Sequence, residues 1–164
     1  MRLKPTPTLA LVAAVWLAHA APASAGGQCK ASETTYFSCG TARHKTLSLC
    51  GALPSSVQYR YGKVPHVELR FPSNPTAGVK QLRYAHYFRF QSDRTEVTFS
   101  RNGDDYAVFD DTDDGKRSAG VRVTTPDGTE HETLCTGPIE GRLDTLGKSL
   151  RCATDNALNG GNCP

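Results

Sequence analysis

From Glu33 onward the chain is a succession of short runs in which apolar and polar residues alternate, the period of a half-buried β-strand. Residues 35–39 and 46–50 read as a hairpin with Gly40, Thr41, Arg43 and His44 at its tip. Residues 56–61 set Val57, Tyr59 and Tyr61 on one face and Gln58 and Arg60 on the other. In residues 66–71, Val67, Leu69 and Phe71 point inward while Glu68 and Arg70 point out, and Pro72, Pro75 and Gly78 close the group. A second group opens at residues 82–90, where Leu82, Tyr84, His86, Phe88 and Phe90 share one face and Arg83, Tyr87 and Arg89 the other. Strands at 95–100 and 106–110 flank Asn102-Gly103, the strongest short-range hairpin signal in the chain. Strands at 119–124 and 130–134 follow, joined by Pro126-Asp127-Gly128.

Further on the period changes. Ile139, Leu143 and Leu146 recur at spacings of four and three, which predicts a short C-terminal helix, and the stretch around Gly160-Gly161 reads as an irregular tail. About eight strands separated by turn residues predict an all-β fold, either an antiparallel sandwich or a small barrel.

The segment before the strands sets the compartment. Arg2 and Lys4 precede an apolar run from Leu9 to Ala21 and then Ala23-Ser24-Ala25, the order of a secretory signal and its cleavage site. That run is shorter than the roughly 20 residues a spanning helix needs. The expectation is a signal peptide at 1–25 and a single β-rich domain at 26–164, periplasmic or secreted, with no membrane span.

All six cysteines, Cys29, Cys39, Cys50, Cys135, Cys152 and Cys163, fall after the leader, and an even count in an exported chain predicts disulfides. Sequence alone does not choose their connectivity. The symmetry of the first hairpin about His44 and Lys45 would set Cys39 against Cys50, and Cys29 with Cys163 and Cys135 with Cys152 would complete the set.

Charge excludes one class of partner and divides the chain. With the leader removed the chain is near neutral, which gives no basic stripe for nucleic acid. Residues 30–101 carry 11 basic and 4 acidic side chains, a net of +7, whereas residues 102–164 carry 6 and 12, a net of −6. Solvated faces of one sheet account for such a split.

Motifs for catalysis or metal binding are missing from the sequence. The run Asp110-Asp111-Thr112-Asp113-Asp114-Gly115 invites a calcium reading, but Val121 stands where that loop template needs its last carboxylate, so a solvated turn is expected. His44, His66, His86 and His131 lack metal-ligand spacing, no G-x-S-x-G motif occurs, and no cofactor is expected. The candidate binding surface is the outward row of Arg60, Arg70, Arg83 and Arg89 with Tyr87, because arginine presents a planar fork of donors to carboxylate or phosphate.

The runs TYFSC, KTLSLC, QYRYG and VELRFP, in this order, resemble a group of small exported proteins of Gram-negative bacteria whose activity is uncharacterised. The resemblance covers residues 29–134 and implies a periplasmic or secreted β-rich domain without supplying a ligand or a catalytic residue. The opening strand, with Tyr36 three residues before Cys39, is more faintly similar to that of periplasmic lysozyme inhibitors. The chain lacks their Ser-Gly loop, and no inhibitory residue carries over. The expected function is therefore an exported, disulfide-stabilised binding or inhibitory module acting on an envelope or extracellular partner, a protein or an acidic polymer. The alternative is a small hydrolase with a site dispersed over several strands.

Overall fold

The two groups of alternating runs become two four-stranded antiparallel meanders. The computed structural model describes residues 1, 27–160 and 163, so the expected leader lies, Met1 apart, outside the described residues. The first meander is β1 (Thr34–Thr41), β2 (Lys45–Ala52), β3 (Ser56–Lys63) and β4 (His66–Phe71). The second is β5 (Arg83–Arg89), β6 (Ser92–Arg101), β7 (Asp104–Asp113) and β8 (Lys116–Thr124). A crossover containing the one-turn helix α1 (Gly78–Gln81) links them. A Cβ on Gly78 would stand 1.8 Å from the Val57 carbonyl oxygen, so glycine is what lets the crossover lie flat on β3.

One long strand joins the meanders. The first residues of β9 (Glu130–Gly141) pair with β8, and those from Cys135 to its end pair with β1. A two-residue strand, β10 (Arg151–Cys152), adds in parallel to β5. The result is one ten-stranded sheet in the order β10-β5-β6-β7-β8-β9-β1-β2-β3-β4, curled into a half-barrel. Its concave face holds the core. Phe37, Leu47, Leu49, Val57 and Tyr59 come from the first meander, Val97, Phe99, Val108 and Val121 from the second, and Leu143, Leu146 and Leu150 cap one end. The Phe99 ring stacks on Phe71 at 4.4 Å and on Tyr106 at 4.7 Å, with Tyr59 tilted against it at 5.1 Å, so aromatic packing crosses between the two meanders. Among the described residues no helix is long and apolar enough to cross a membrane.

Several sequence expectations change. Ile139 belongs to β9, and the predicted C-terminal helix is a single 3-10 turn at Leu143–Leu146. Gly141 between them has φ 74°, and a Cβ there would stand 2.2 Å from the Tyr36 carbonyl oxygen, so the chain turns sharply and does not wind. The acidic run is not a loop. Asp110 to Asp113 lie in β7 on alternate faces, and only Asp114-Gly115, both at positive φ, make the turn to β8. Asn102-Gly103, also at positive φ, forms a two-residue hairpin turn, so the flanking strands run up to Arg101 and Asp104, beyond the expected 95–100 and 106–110.

The disulfides pair as Cys29–Cys50, Cys39–Cys135 and Cys152–Cys163. The pairing predicted from hairpin symmetry fails because the turn is centred on Arg43 and not between His44 and Lys45. Thr41 already opposes Lys45, Cys39 opposes Leu47, and a bulge at Tyr36 shifts the register again before Thr35 meets Cys50. Cys39 instead reaches β9 and pins the seam between the meanders. Cys29–Cys50 anchors the N-terminal segment on the convex face, and Cys152–Cys163 closes the C-terminal segment on itself beside the β5 edge.

Candidate functional site

Each terminal segment is a strap across the convex face of one meander, and the straps decide the fate of the five candidate residues. The N-terminal strap covers β2 and β3. It carries Glu33 onto Arg60, whose Nη1 and Nη2 donate to the two carboxylate oxygens at 2.6 and 2.7 Å, while Nε donates to Gln58 Oε1 at 2.7 Å and Nη1 also reaches the Gln28 carbonyl at 2.9 Å. Arg60 is 5% exposed, which corrects the outward, solvated position expected of it. The paired guanidinium holds the Glu33 carboxyl below its usual range. Arg70 lies opposite Arg60 in the register of β3 and β4 and is exposed.

The other three candidates share the convex face of β5. Arg83, Tyr87 and Arg89 alternate with Tyr84, His86 and Phe88, as the pattern predicts. Yet His86, Phe88 and Phe90, expected to face the core, are exposed, because the core on that side of β5 ends at Leu82 and Tyr84 and the hairpin runs on past it. Arg83 stands apart from Tyr87 and Arg89, since it lines a cleft that they do not reach. The five residues therefore do not form one row.

The cleft is a cavity of about 790 Å³ between the convex face of β5 to β8 and the C-terminal strap. Sequence reasoning missed it, because the strap reads as an irregular tail. Hydrogen bonds fix that strap: the Ala153 amide donates to the Tyr84 carbonyl at 2.8 Å, Asn156 Nδ2 donates to Glu96 Oε2 at 2.6 Å, and Asn159 Oδ1 accepts from the His86 amide at 3.2 Å. Thr98, Ser100, Thr124 and Asn156 line the cleft with hydroxyls and an amide, and Asp105 and Asp155 add carboxylates. Arg83 and Arg151 are partners in the β5 and β10 register, both line the cleft, and neither makes an ion pair among the described residues.

Beside the cleft the convex face holds a half-buried charge cluster. The Arg122 guanidinium lies 4.5 Å above the Phe109 ring and reaches Glu96 at 3.1 Å, with Glu132 and Asp111 at 3.7 and 3.9 Å. Gly120 opposes Phe109 across the strands, and a Cβ there would stand 3.0 Å from the ring, so glycine makes room for the aromatic. Burial pushes the Asp111 carboxyl up to about 6 against the pull of Arg122 and Arg94, and its Oδ1 is buried without a hydrogen-bond partner.

A His and carboxylate pair also exists, on the other face of the sheet. His86 Nε2 and Asp93 Oδ1 are 2.8 Å apart at the open end of the concave side, both partly exposed, and Arg142 shares the same carboxylate at 3.6 Å. Among the described residues no hydroxyl bonds the His86 ring, and the pair does not line the cleft.

Fold and cleft together define an all-β, disulfide-stapled protein with an open polar cleft on the convex face of a half-barrel. Comparison with protein-family models, curated proteins and solved structures finds no match to the chain.

Proposed function

We propose that the protein is an exported binding module, which holds an acidic segment of an envelope or extracellular partner in the cleft between the convex face of β5 to β8 and the C-terminal strap. The observation that carries the reading is the adjacency of Arg83 and Arg151, two guanidinium groups in register on the cleft wall without a carboxylate of their own. Planar forks side by side suit carboxylate or phosphate groups at intervals along a polymer or peptide, and the hydroxyl and amide lining suits a polar chain between them. Three disulfides agree with an exported, oxidised protein, and Cys152–Cys163 closes the strap on itself. The resemblance of the strand motifs to small exported proteins points the same way.

The test compares wild type with Arg83→Ala/Arg151→Ala in a pull-down from envelope extract. The double variant is expected to lose the partner while its melting curve stays close to wild type, since exposed substitutions usually move stability by under about 0.5 kcal/mol. Binding is expected to weaken as salt rises, because exposed charges are screened over roughly 8 to 10 Å at physiological strength. Recovery of the same partner in equal amount by both proteins would refute the assignment.

A further inference from the structure

The two edges of the ten-stranded sheet are unlike. A free strand edge offers a row of unpaired amides and carbonyls, and proteins ordinarily blunt it with proline, charge or a covering segment. β4 forms one edge, lies between Pro65 and Pro72, and carries Glu68, which Lys45 binds, and Arg70 on its exposed face. At the other edge β10 covers only the start of β5, pairing with Arg83 and Tyr84. The Tyr84 carbonyl accepts from Ala153, and the His86 amide donates to Asn159 Oδ1 at 3.2 Å, so the even-numbered residues of β5 turn their backbone groups to this side. Next in that series is Phe88, whose amide and carbonyl have no partner among the described residues. Among the described residues no proline or covering strand protects this half of β5, and the large apolar side chains here and in the turn that follows are open to solvent: Tyr87 is 39% exposed, Phe88 72% and Phe90 86%.

We infer that this half-edge pairs with the same edge of a second copy of the chain, in an antiparallel, two-fold contact centred on Phe88. Self-complementarity selects that occupant. A two-fold through Phe88 lets the two Phe88 residues exchange both backbone bonds and sets their rings side by side. It also places each Tyr87 opposite the Arg89 of the other copy on the convex face, a cation and an aromatic ring in contact, twice over. The pairing ends there, because Asn159 already holds the His86 amide on this edge. Arg89 is free for this role, since it makes no ion pair among the described residues. β4 offers no such pairing, because its charges and flanking prolines oppose addition of a strand.

Sedimentation equilibrium of the oxidised protein over a range of concentrations tests the inference. Wild type is expected to show a reversible monomer and dimer equilibrium, with no larger species. Phe88→Pro removes an amide that faces away from β6, so it should leave the β5 and β6 ladder intact and abolish the dimer. Arg89→Glu should weaken association about tenfold, equivalent to roughly 1.4 kcal/mol, and Tyr87→Lys/Arg89→Glu should regain it by placing opposite charges across the two-fold. These two variants decide the matter should Phe88→Pro unfold, which far-UV circular dichroism reports. A wild type monomeric throughout, a folded Phe88→Pro variant that still dimerises, failure of the paired exchange to restore association, or mass growing into an open series would overturn it. None of these substitutions touches Arg83 or Arg151, so the result is independent of the cleft.

Discussion

Arg60 and Arg70 oppose each other on neighbouring strands, and the strap over one of them gives them opposite duties. Arg60 is a buried cation held by a half-buried carboxylate, so its removal would leave Glu33 only the Lys30 amide as a partner, a change expected to cost about 3 kcal/mol, the low end for breaking a buried pair. Arg70 touches solvent and contributes little to stability. The same contrast between paired and stranded charge shows at Asp111. Its carboxyl ordinarily ionises near 3.8, and burial raises this to about 6 in the folded protein. Between those values the native state keeps a proton that the unfolded chain releases, so this group makes stability fall as the pH rises from about 4 to about 6. Above that range the ionised carboxylate sits half-buried with one oxygen unsatisfied. Asp111→Asn keeps the shape and cannot ionise. The variant is expected to melt higher than wild type near pH 7.5 and to lose that advantage near pH 4, in thermal scans followed by circular dichroism. A lower melting temperature near pH 7.5 would mean that attraction to Arg122 outweighs desolvation.

At the scale of elements, the three disulfides divide the work unequally. Cys39–Cys135 spans 96 residues and ties β1 to β9 at the seam, whereas Cys152–Cys163 spans 11 and pins only the C-terminal strap. In the chain-entropy model, closing a loop of about 100 residues stabilises by about 4.7 kcal/mol, against about 3 for one of about 15. Urea titration of Cys39→Ala/Cys135→Ala should therefore show a larger loss of stability than Cys152→Ala/Cys163→Ala, and the reverse order would count against the seam as the main tie. The strands themselves were legible because one face of nearly every run packs on the core, and the hairpin at Asn102-Gly103 followed from its positive φ. The connectivity was not legible, since a turn centred on Arg43 sets Cys39 opposite Leu47 and a bulge at Tyr36 brings Cys50 to Thr35, and neither leaves a mark in composition. Arg60 shows the same limit: alternation along β3 gives its face correctly, but the strap that buries that face comes from outside the run. Arg151 and the cleft were hidden likewise, because a short strand held by two pairings and a disulfide has no period of its own.

At the scale of the whole molecule, the meanders share one core although each comes from its own half of the chain. The opposite net charges of the two halves do not provide this union. Arg94 with Asp113, Glu96 with Arg122 and Asp93 with Arg142 join the basic stretch 30–101 to the acidic stretch 102–164, yet all six side chains lie on or against the second meander. The tie is made by backbone pairing, a covalent bridge and apolar packing: β9 hydrogen-bonds to both meanders, Cys39–Cys135 locks it to the first, and Phe99 of the second stacks on Phe71 and packs tilted against Tyr59 of the first. Folding is then expected to be a single cooperative transition, with the loss of sheet in the far ultraviolet and of tyrosine packing in the near ultraviolet coinciding. Phe99 is 4% exposed, and Phe99→Ala should lower stability by about 3 to 5 kcal/mol, the cost of a large aromatic cavity. Because the vacated space lies between the meanders, both signals should shift together. Two separate transitions in this variant, one for each half, would show that the halves are held by the strand and the disulfide alone and that the aromatic stack is not what makes them one unit.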